Sequence, residues 1–131
     1  MKAVVSILAL SILLPACTRP PVRAQSPAAK RASAEVAEQV RRCYRAPRVP
    51  SAGRAIVTRL LARYGPDGVL VGLPLLVSQQ GLTPESRAYA GRMTEAARLA
   101  IIHCSPIRLP PKLGKRRAVE FYLTFSPRMR A

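Results

Sequence analysis

Three cysteines are the residues of this 131-residue chain whose chemistry the sequence can best assign. Cys17 follows an apolar N-terminal run, whereas Cys43 and Cys104 lie in the amphipathic segments that come later. Two thiols in an exported domain are expected to form a disulfide, because oxidising compartments preserve such bonds. The alternatives are two free buried thiols or a metal site, for which His103 is the only histidine in the chain.

Few other residues are suited to catalysis. Asp67 is the only aspartate and falls in a predicted turn, and the glutamates fall on predicted helix faces or on a strand. His103 has no neighbouring carboxylate in the sequence, and the chain has no glycine-rich phosphate loop. We therefore predict that the protein is not an enzyme and binds neither a cofactor nor a metal ion.

Residues 1–16 have the organisation of a secretory signal, with Lys2 followed by an apolar run. The run is too short to span a bilayer, which takes about 20 apolar residues. Leu14-Pro15-Ala16-Cys17 resembles a bacterial lipobox, in which the cysteine is acylated after cleavage, although Pro15 departs from the usual residue. Cleavage after Ala24 is the alternative and would release an unlipidated periplasmic protein. We predict lipidation at Cys17 and an anchor in the cell envelope, at the outer rather than the inner membrane.

Residues 17–32 are rich in proline, arginine and alanine without apolar periodicity, which predicts a disordered basic tether. The whole chain carries a formal charge of +16, so an anionic neighbour is expected unless the arginines merely reflect the base composition of the coding DNA. Aromatic residues make up 5% of the chain and tryptophan is absent, which disfavours nucleic acid as the partner. Anionic lipid or an acidic protein fits the charge better.

Residues 33–131 are predicted to fold as one small domain. Ser33 is a suitable N-cap for a first helix, which Pro47 ends because proline cannot continue the helical hydrogen bonds. The inward stripe of this helix comprises Val36, Val40, Cys43 and Tyr44. Residues 54–64 then alternate with a period of two, which indicates a strand. Its inward residues are Thr58, Leu60, Ala62 and Tyr64, and its outward residues include Arg59 and Arg63.

A hairpin is predicted to follow this strand. Residues 65–68, Gly-Pro-Asp-Gly, are typical of a reversing turn, so residues 69–73 are expected to pair back as an edge strand that kinks or bulges at Pro74. Thr83 then opens a second helix that runs to His103. The inward stripe of this helix is predicted to comprise Tyr89, Met93, Ala96, Ala100 and Cys104.

The last predicted element is the clearest strand in the chain. Apolar and polar residues alternate along Val119, Glu120, Phe121, Tyr122, Leu123, Thr124 and Phe125. A basic loop precedes it, with Lys112, Lys115, Arg116 and Arg117. The predicted order is therefore helix, strand, strand, helix, strand, which is an α+β fold. In this layout Cys43 and Cys104 both fall at helix ends on inward faces, which favours a disulfide between them.

Several short motifs resemble, in order and in spacing, the TolA/TonB C-terminal domain superfamily, nearest to its TolA-like branch with paired cysteines. The matching segments are Cys43-Tyr44 with Pro47, Gly65-Pro66-Asp67-Gly68, Ala96-Ala97-Arg98, Cys104-Ser105-Pro106 with Leu109-Pro110, and Phe125-Ser126-Pro127 with Met129. The resemblance covers residues 34–131. It implies a three-stranded antiparallel sheet packed on two helices.

The resemblance also implies binding rather than catalysis, because partners of this superfamily add a strand to an open sheet edge. The superfamily's membrane-spanning anchor and long periplasm-crossing segment are not visible here. We expect an envelope protein-interaction module that binds an extended peptide or envelope protein along residues 119–125, with the basic loop steering an acidic peptide. In one alternative those cations only deter unwanted edge pairing. In another the protein is a cationic envelope component that binds anionic lipid or lipopolysaccharide.

Overall fold

The computed structural model describes residues 26–111, 113 and 117–129. Two helices cover one face of a three-stranded antiparallel sheet, and the predicted α+β fold is confirmed. The elements are α1 (Pro27–Cys43), β1 (Val57–Tyr64), β2 (Leu75–Gln80), α2 (Ala90–His103) and β3 (Val119–Phe125), with short 3-10 helices at Ser51–Ala55 and Arg87–Tyr89. The signal, the predicted lipidation site Cys17 and the first part of the tether lie outside the described residues.

Helix α1 begins earlier than the sequence analysis predicts. Ser26, not Ser33, is the N-cap: its side chain accepts a hydrogen bond from the Ala29 N–H at 3.2 Å. Pro27 follows at the first helical position, where its missing N–H costs nothing. Residues 27–32, assigned above to the tether, are therefore helical, and Ala32 is buried. The helix ends at Cys43, before the end predicted from Pro47, and Tyr44 is already extended.

Strand β1 is the centre of the sheet, and the strand order is β2-β1-β3. The predicted alternation is confirmed, because its even-numbered residues from 58 to 64 are buried and both arginines are exposed. The strand starts at Val57 rather than at residue 54, since residues 51–55 form a 3-10 turn. Leu60 pairs with Leu123 of β3 on one side and with Leu76 of β2 on the other.

The predicted hairpin turn is confirmed, but the strand expected after it is displaced. The Gly68 N–H donates to the Gly65 carbonyl at 2.9 Å, which closes the turn. Residues 69–73 then form a single bridge, Tyr64 with Leu70, and the regular strand begins only at Leu75. Gly72 with its positive φ of 72° and Pro74 without an N–H interrupt the ladder, so pairing resumes after the proline.

Helix α2 also starts later than predicted. Residues 83–89 form a turn and a 3-10 helix in which the Ser86 side chain accepts from the Thr83 N–H at 2.8 Å, and the α-helix begins at Ala90. Its buried residues are Met93, Thr94, Ala97, Ala100 and Ile101. Of the predicted stripe, Met93 and Ala100 are buried, whereas Tyr89, Ala96 and Cys104 are only partly buried. The burial of Ala97 and Ile101 shows that the inward face is rotated from the predicted one.

A polar cluster at the other edge of the sheet fixes β2 against α2. The Gln79 side-chain nitrogen lies 3.1 Å from Thr58 Oγ1, 3.0 Å from Thr94 Oγ1 and 2.8 Å from the Ala90 carbonyl oxygen. Thr58 and Thr94 are both buried, so these bonds offset the cost of removing their hydroxyls from water. The cluster holds β2 in place although most of its apolar side chains are exposed.

The Cys43–Cys104 disulfide is present and joins the end of α1 to the end of α2, with 5.7 Å between the two Cα atoms. Beside it, the core is built from both helices and the inward face of the sheet. The ring of Tyr44 packs on Phe125 with centroids 5.1 Å apart, and Tyr64 packs on Phe121 at 6.2 Å. These contacts place the inward side of β3 firmly in the core.

Candidate functional site

Strand β3 lies at one edge of the sheet, and the hydrogen bonds define which of its backbone groups face outward. The Val71 N–H donates to the Arg63 carbonyl at 2.8 Å, so the backbone groups of Arg63 point toward the β2 side. Directions alternate along a strand, so Ala62 and Leu60 point toward β3. Their partners Phe121 and Leu123 point back at them. The intervening residues of β3 therefore face away from the sheet.

The N–H and C=O groups of Glu120, Tyr122 and Thr124 form what we call the outer edge of β3. Among the described residues, no strand other than β1 pairs with β3. The seven residues of this strand include no proline, no glycine and no bulge. The edge is thus regular over its length, and the spacing of its outward N–H and C=O groups matches that of an added strand.

The opposite edge, on β2, is much less suited to accept a strand. Pro74 immediately precedes β2 and supplies no donor. The register shifts between Arg59 and Leu60, which leaves Val77 as an extra residue without a partner on β1. Bulges and prolines are the usual means by which sheet edges are protected from further pairing.

The side chains of β3 separate into a core face and a solvent face. Phe121, Leu123 and Phe125 are buried, while Glu120, Tyr122 and Thr124 are exposed. The three residues with outward backbone groups are thus also the three with accessible side chains. A strand added here would contact their side chains without disturbing the core.

Two arginines of β1 shape the charge beside this edge. Arg63 forms an ion pair with Glu120, with Nε 3.0 Å from the carboxylate oxygen. Arg59 lies over the Tyr122 ring, 4.6 Å from its centroid, in a cation–π arrangement. Glu120 is the only carboxylate of β3 and is neutralised by its partner. Because this pair has no net charge, Arg59 supplies the positive charge of the solvent face beside the outer edge.

Of the predicted steering cations, only Arg117 belongs to the described part of the chain, where it is exposed just before β3. Lys112, Lys115 and Arg116 lie outside the described residues, so their steering role stays a prediction. Their position in the sequence, immediately ahead of β3, is the observation on which it depends.

A second basic feature, which the sequence does not indicate, is a groove of about 870 Å³ at the end of the sheet where β3 finishes. Arg48, Arg54 and Arg128 line it, together with Pro47, Val49 and Met129. The groove contains no carboxylate, so its charge is uniformly positive. Arg48 and Arg54 belong to one segment and Arg128 lies near the other end of the chain, so no local sequence pattern could have grouped all three.

Another groove, of about 830 Å³, runs beside the disulfide between α1 and residues 106–111. Its carboxylates are Glu35 and Glu38. A hydrogen bond from Arg41 lowers the pKa of Glu38, so this group stays ionised and is unsuited to donate a proton. The residues that the structure describes include no cluster of three or more metal-ligating side chains. This groove therefore gives no indication of catalysis.

The chain was compared with known proteins in three ways, and it matches no protein-family model, no curated protein and no solved structure. The resemblance to the TolA/TonB superfamily thus stays a prediction. Of the helices that the structure describes, none combines the length and the apolar character that crossing a bilayer requires.

Proposed function

We propose that this protein is a non-catalytic envelope module that captures an extended peptide, or an extended segment of an envelope protein, as a fourth strand beside β3. The observation that carries the proposal is the outer edge of β3, whose outward groups at Glu120, Tyr122 and Thr124 are unpaired among the described residues. Main-chain hydrogen bonds to such an edge supply affinity, and alternate side chains supply specificity. The resemblance to the TolA/TonB superfamily gives the proposal independent support.

The charges beside the outer edge favour an acidic peptide. Arg59 and Arg63 line the solvent face next to β3, and the groove formed by Arg48, Arg54 and Arg128 lies where the strand ends. An acidic side chain or a terminal carboxylate of the added strand would meet a positive surface at either place. An apolar or aromatic residue facing Tyr122 would complete the contact.

The remaining parts of the proposal concern location. The signal-like residues 1–16 and the lipobox-like segment before Cys17 support export and a lipid anchor, at the outer rather than the inner membrane. A domain held close to a membrane in the periplasm would meet envelope partners there. Intact-mass measurement of the purified protein tests the anchor, since a soluble chain that begins at Gln25 would contradict it.

Crosslinking in the native envelope followed by mass spectrometry identifies the partner, and hydrogen exchange then tests the edge. A peptide covering the crosslinked segment should slow exchange at the amides of Glu120, Tyr122 and Thr124, which now face solvent. The amides of Phe121 and Leu123 already pair with β1 and serve as internal controls. Protection that appears elsewhere, with no change at the three outward amides, would refute strand addition at β3.

Salt separates this function from the lipid-binding alternative. Backbone pairing on a sheet edge should survive several hundred millimolar salt, because it does not depend on long-range charge. Binding through scattered arginines should collapse as the screening length falls toward about 3 Å near 1 M salt. Loss of partner binding over that range would favour a cationic component that binds anionic lipid or lipopolysaccharide.

A further inference from the structure

Residues 69–77 expose an unusual density of aliphatic side chains. Six of them are between 44% and 75% exposed, with Leu73 at the upper limit. These six form what we call the apolar ridge: Val69, Val71, Leu73, Leu75, Leu76 and Val77. Residues 68–84 also contain no charged side chain, although charged residues make up 21% of the chain. Contiguous exposed apolar surface of this kind marks an interaction site.

The backbone of the ridge is held in place by bonds that leave its side chains outside. The Leu70 N–H donates to Ser105 Oγ at 2.9 Å, and the Ile107 N–H donates to the Gly68 carbonyl at 2.9 Å. Only Leu70 and Pro74 turn inward, with Leu70 against the core and Pro74 fully buried. The exposure of the ridge is therefore a consequence of how the fold anchors this segment.

Charge identifies what would cover the ridge. A second copy of a chain with a formal charge of +16 would be repelled, and Pro74 and the extra residue Val77 disfavour edge pairing between copies. An anionic bilayer surface attracts the same chain. The backbones of Arg63 and Arg59 border the ridge through Val71 and Ser78. Their side chains lie on the solvent face of the same sheet, over Glu120 and Tyr122 of β3.

The ridge also lacks the residues that dominate protein interfaces. It contains no tryptophan, tyrosine or arginine, the types in which binding hot spots concentrate. Aliphatic side chains next to basic ones are instead typical of segments that enter the boundary between lipid head groups and acyl chains. We propose that the apolar ridge inserts into the surface of an anionic phospholipid membrane, with Arg59 and Arg63 contacting head-group phosphates.

The ridge and the outer edge of β3 are separate, although Arg59 and Arg63 lie on the solvent face between them. The strand order places β2 and β3 on opposite sides of β1, so a ridge bound to lipid leaves the β3 edge accessible. The inference therefore does not depend on strand addition. It adds membrane contact as a second function of the same sheet.

The chain has no tryptophan, so a single introduced indole reports on insertion. Leu73→Trp is compared with Leu99→Trp, whose site on α2 is 41% exposed. Both variants carry Cys17→Ser, so that no acyl chain contributes to binding. With phosphatidylglycerol vesicles, the indole at position 73 should shift its emission to shorter wavelength and be quenched by brominated acyl chains, whereas the indole at position 99 should do neither. Equal responses at the two sites, or no response at either, would overturn the proposal.

A second pair of variants tests the energetic contribution of the ridge. Leu73→Glu should weaken partition onto phosphatidylglycerol vesicles by about tenfold, because burial of one leucine is lost and a negative charge is added. Leu99→Glu adds the same charge away from the ridge and should have a much smaller effect. Phosphatidylcholine vesicles should bind the parent protein weakly. If the parent instead sediments as a dimer without lipid and Leu73→Glu dissociates it, the ridge binds a second copy and the proposal is wrong.

Discussion

The guanidinium carbon of Arg59 lies 4.6 Å from the centre of the Tyr122 ring, on the face of the sheet that the helices leave uncovered. The contact crosses from the central strand to β3, so it holds an aromatic ring and a positive charge together beside the outer edge. Cation–π pairs at exposed sites contribute about 0.5–1 kcal/mol. Both groups are accessible to an added strand.

Tyr122→Ala should lower the free energy of unfolding by about 0.5–1 kcal/mol and weaken capture of an acidic peptide, because the ring and its cation–π contact with Arg59 are lost. Tyr122→Phe keeps the ring and should retain both properties. Urea denaturation and fluorescence anisotropy of a labelled peptide measure the two effects. Equal behaviour of the two variants would mean that the ring makes no contribution.

The disulfide should account for much of the stability of this small domain. The two cysteines are separated by 61 residues. On the chain-entropy model, a loop of this size contributes about 4 kcal/mol to the free energy of unfolding. Replacing Cys43 and Cys104 together with serine should therefore lower the free energy of unfolding by about 4 kcal/mol, which a urea titration measures. Parent protein treated with a reductant should match the double variant, and a difference between them would indicate an effect of the serines themselves.

Gly68 and Gly72 form a matched pair, because both have a positive φ, 78° and 72°, but differ in the space around them. A Cβ atom at Gly68 would lie 1.9 Å from the Ile107 carbonyl oxygen, whereas a Cβ at Gly72 would meet nothing within 4 Å. Gly72→Ala should cost about 1–2 kcal/mol, from the left-handed backbone alone. Gly68→Ala should lower the free energy of unfolding clearly more, because the backbones of Gly68 and Ile107 must also move apart. Thermal unfolding of both variants checks the difference.

Alkaline pH should destabilise the domain through two buried tyrosines. Burial raises the pKa of Tyr44 and that of Tyr64 from about 10 to about 12. Below pH 10 both rings are neutral in the folded and unfolded chain, so the free energy of unfolding is unaffected. Between pH 10 and 12 the unfolded chain loses its phenol protons first, so stability falls as the pH rises.

Tyr44→Phe with Tyr64→Phe should reduce this alkaline loss. Neither hydroxyl has a hydrogen-bond partner among the described residues, so the double variant should remain close to the parent in stability at neutral pH. Unfolding monitored by circular dichroism across pH 8–12 checks both expectations. An unchanged pH profile in the double variant would show that other groups cause the loss.

The elements with clean periodicity could be predicted from the sequence. Strand β3 and the inward face of β1 were predicted correctly because the alternation of buried and exposed residues has a period of two. The disulfide was predicted because the domain has two cysteines, Cys43 and Cys104, and both fall at predicted helix ends. Helix starts were less predictable, since Ser26 and Ser33 are both acceptable N-caps; Pro27 after Ser26 and the burial of Ala32 accompany the earlier start.

The parts that could not be predicted depend on contacts between distant residues. The strand predicted at residues 69–73 pairs with β1 only as far as Val71, because Gly72 and Pro74 interrupt the ladder. Hydrogen bonds of Leu70 with Ser105 and of Gly68 with Ile107 anchor its start. The arginine groove likewise requires residues 48, 54 and 128 to meet in space. Neither the arginine groove nor the bonds to Ser105 and Ile107 have a local signal in the sequence, although Gly72 and Pro74 do. The outer edge of β3, in contrast, follows from the strand order and from the alternating directions of the N–H and C=O groups along a strand.

The decisive variant for strand addition is a proline at Tyr122 or Thr124. Each N–H points away from β1, so Tyr122→Pro or Thr124→Pro removes a donor from the outer edge without removing one from the ladder. Peptide affinity should fall by more than about tenfold, since one hydrogen bond is lost and the ring obstructs the added strand. Some loss of stability is expected, because the fixed φ of proline fits a strand poorly.

Two control variants distinguish an effect on the outer edge of β3 from a loss of folding. Thr124→Val keeps the N–H and should bind as the parent does, whereas Leu123→Pro removes an inward donor and a buried side chain and should unfold the domain. Circular dichroism must show that the outward-proline variants remain folded before their affinity is compared. If a folded Thr124→Pro variant binds the crosslinked partner with unchanged affinity, strand addition at β3 is excluded. The solvent face around Arg59 and Arg63 would then be the next surface to mutate, because its cations can bind an acidic partner without any backbone pairing.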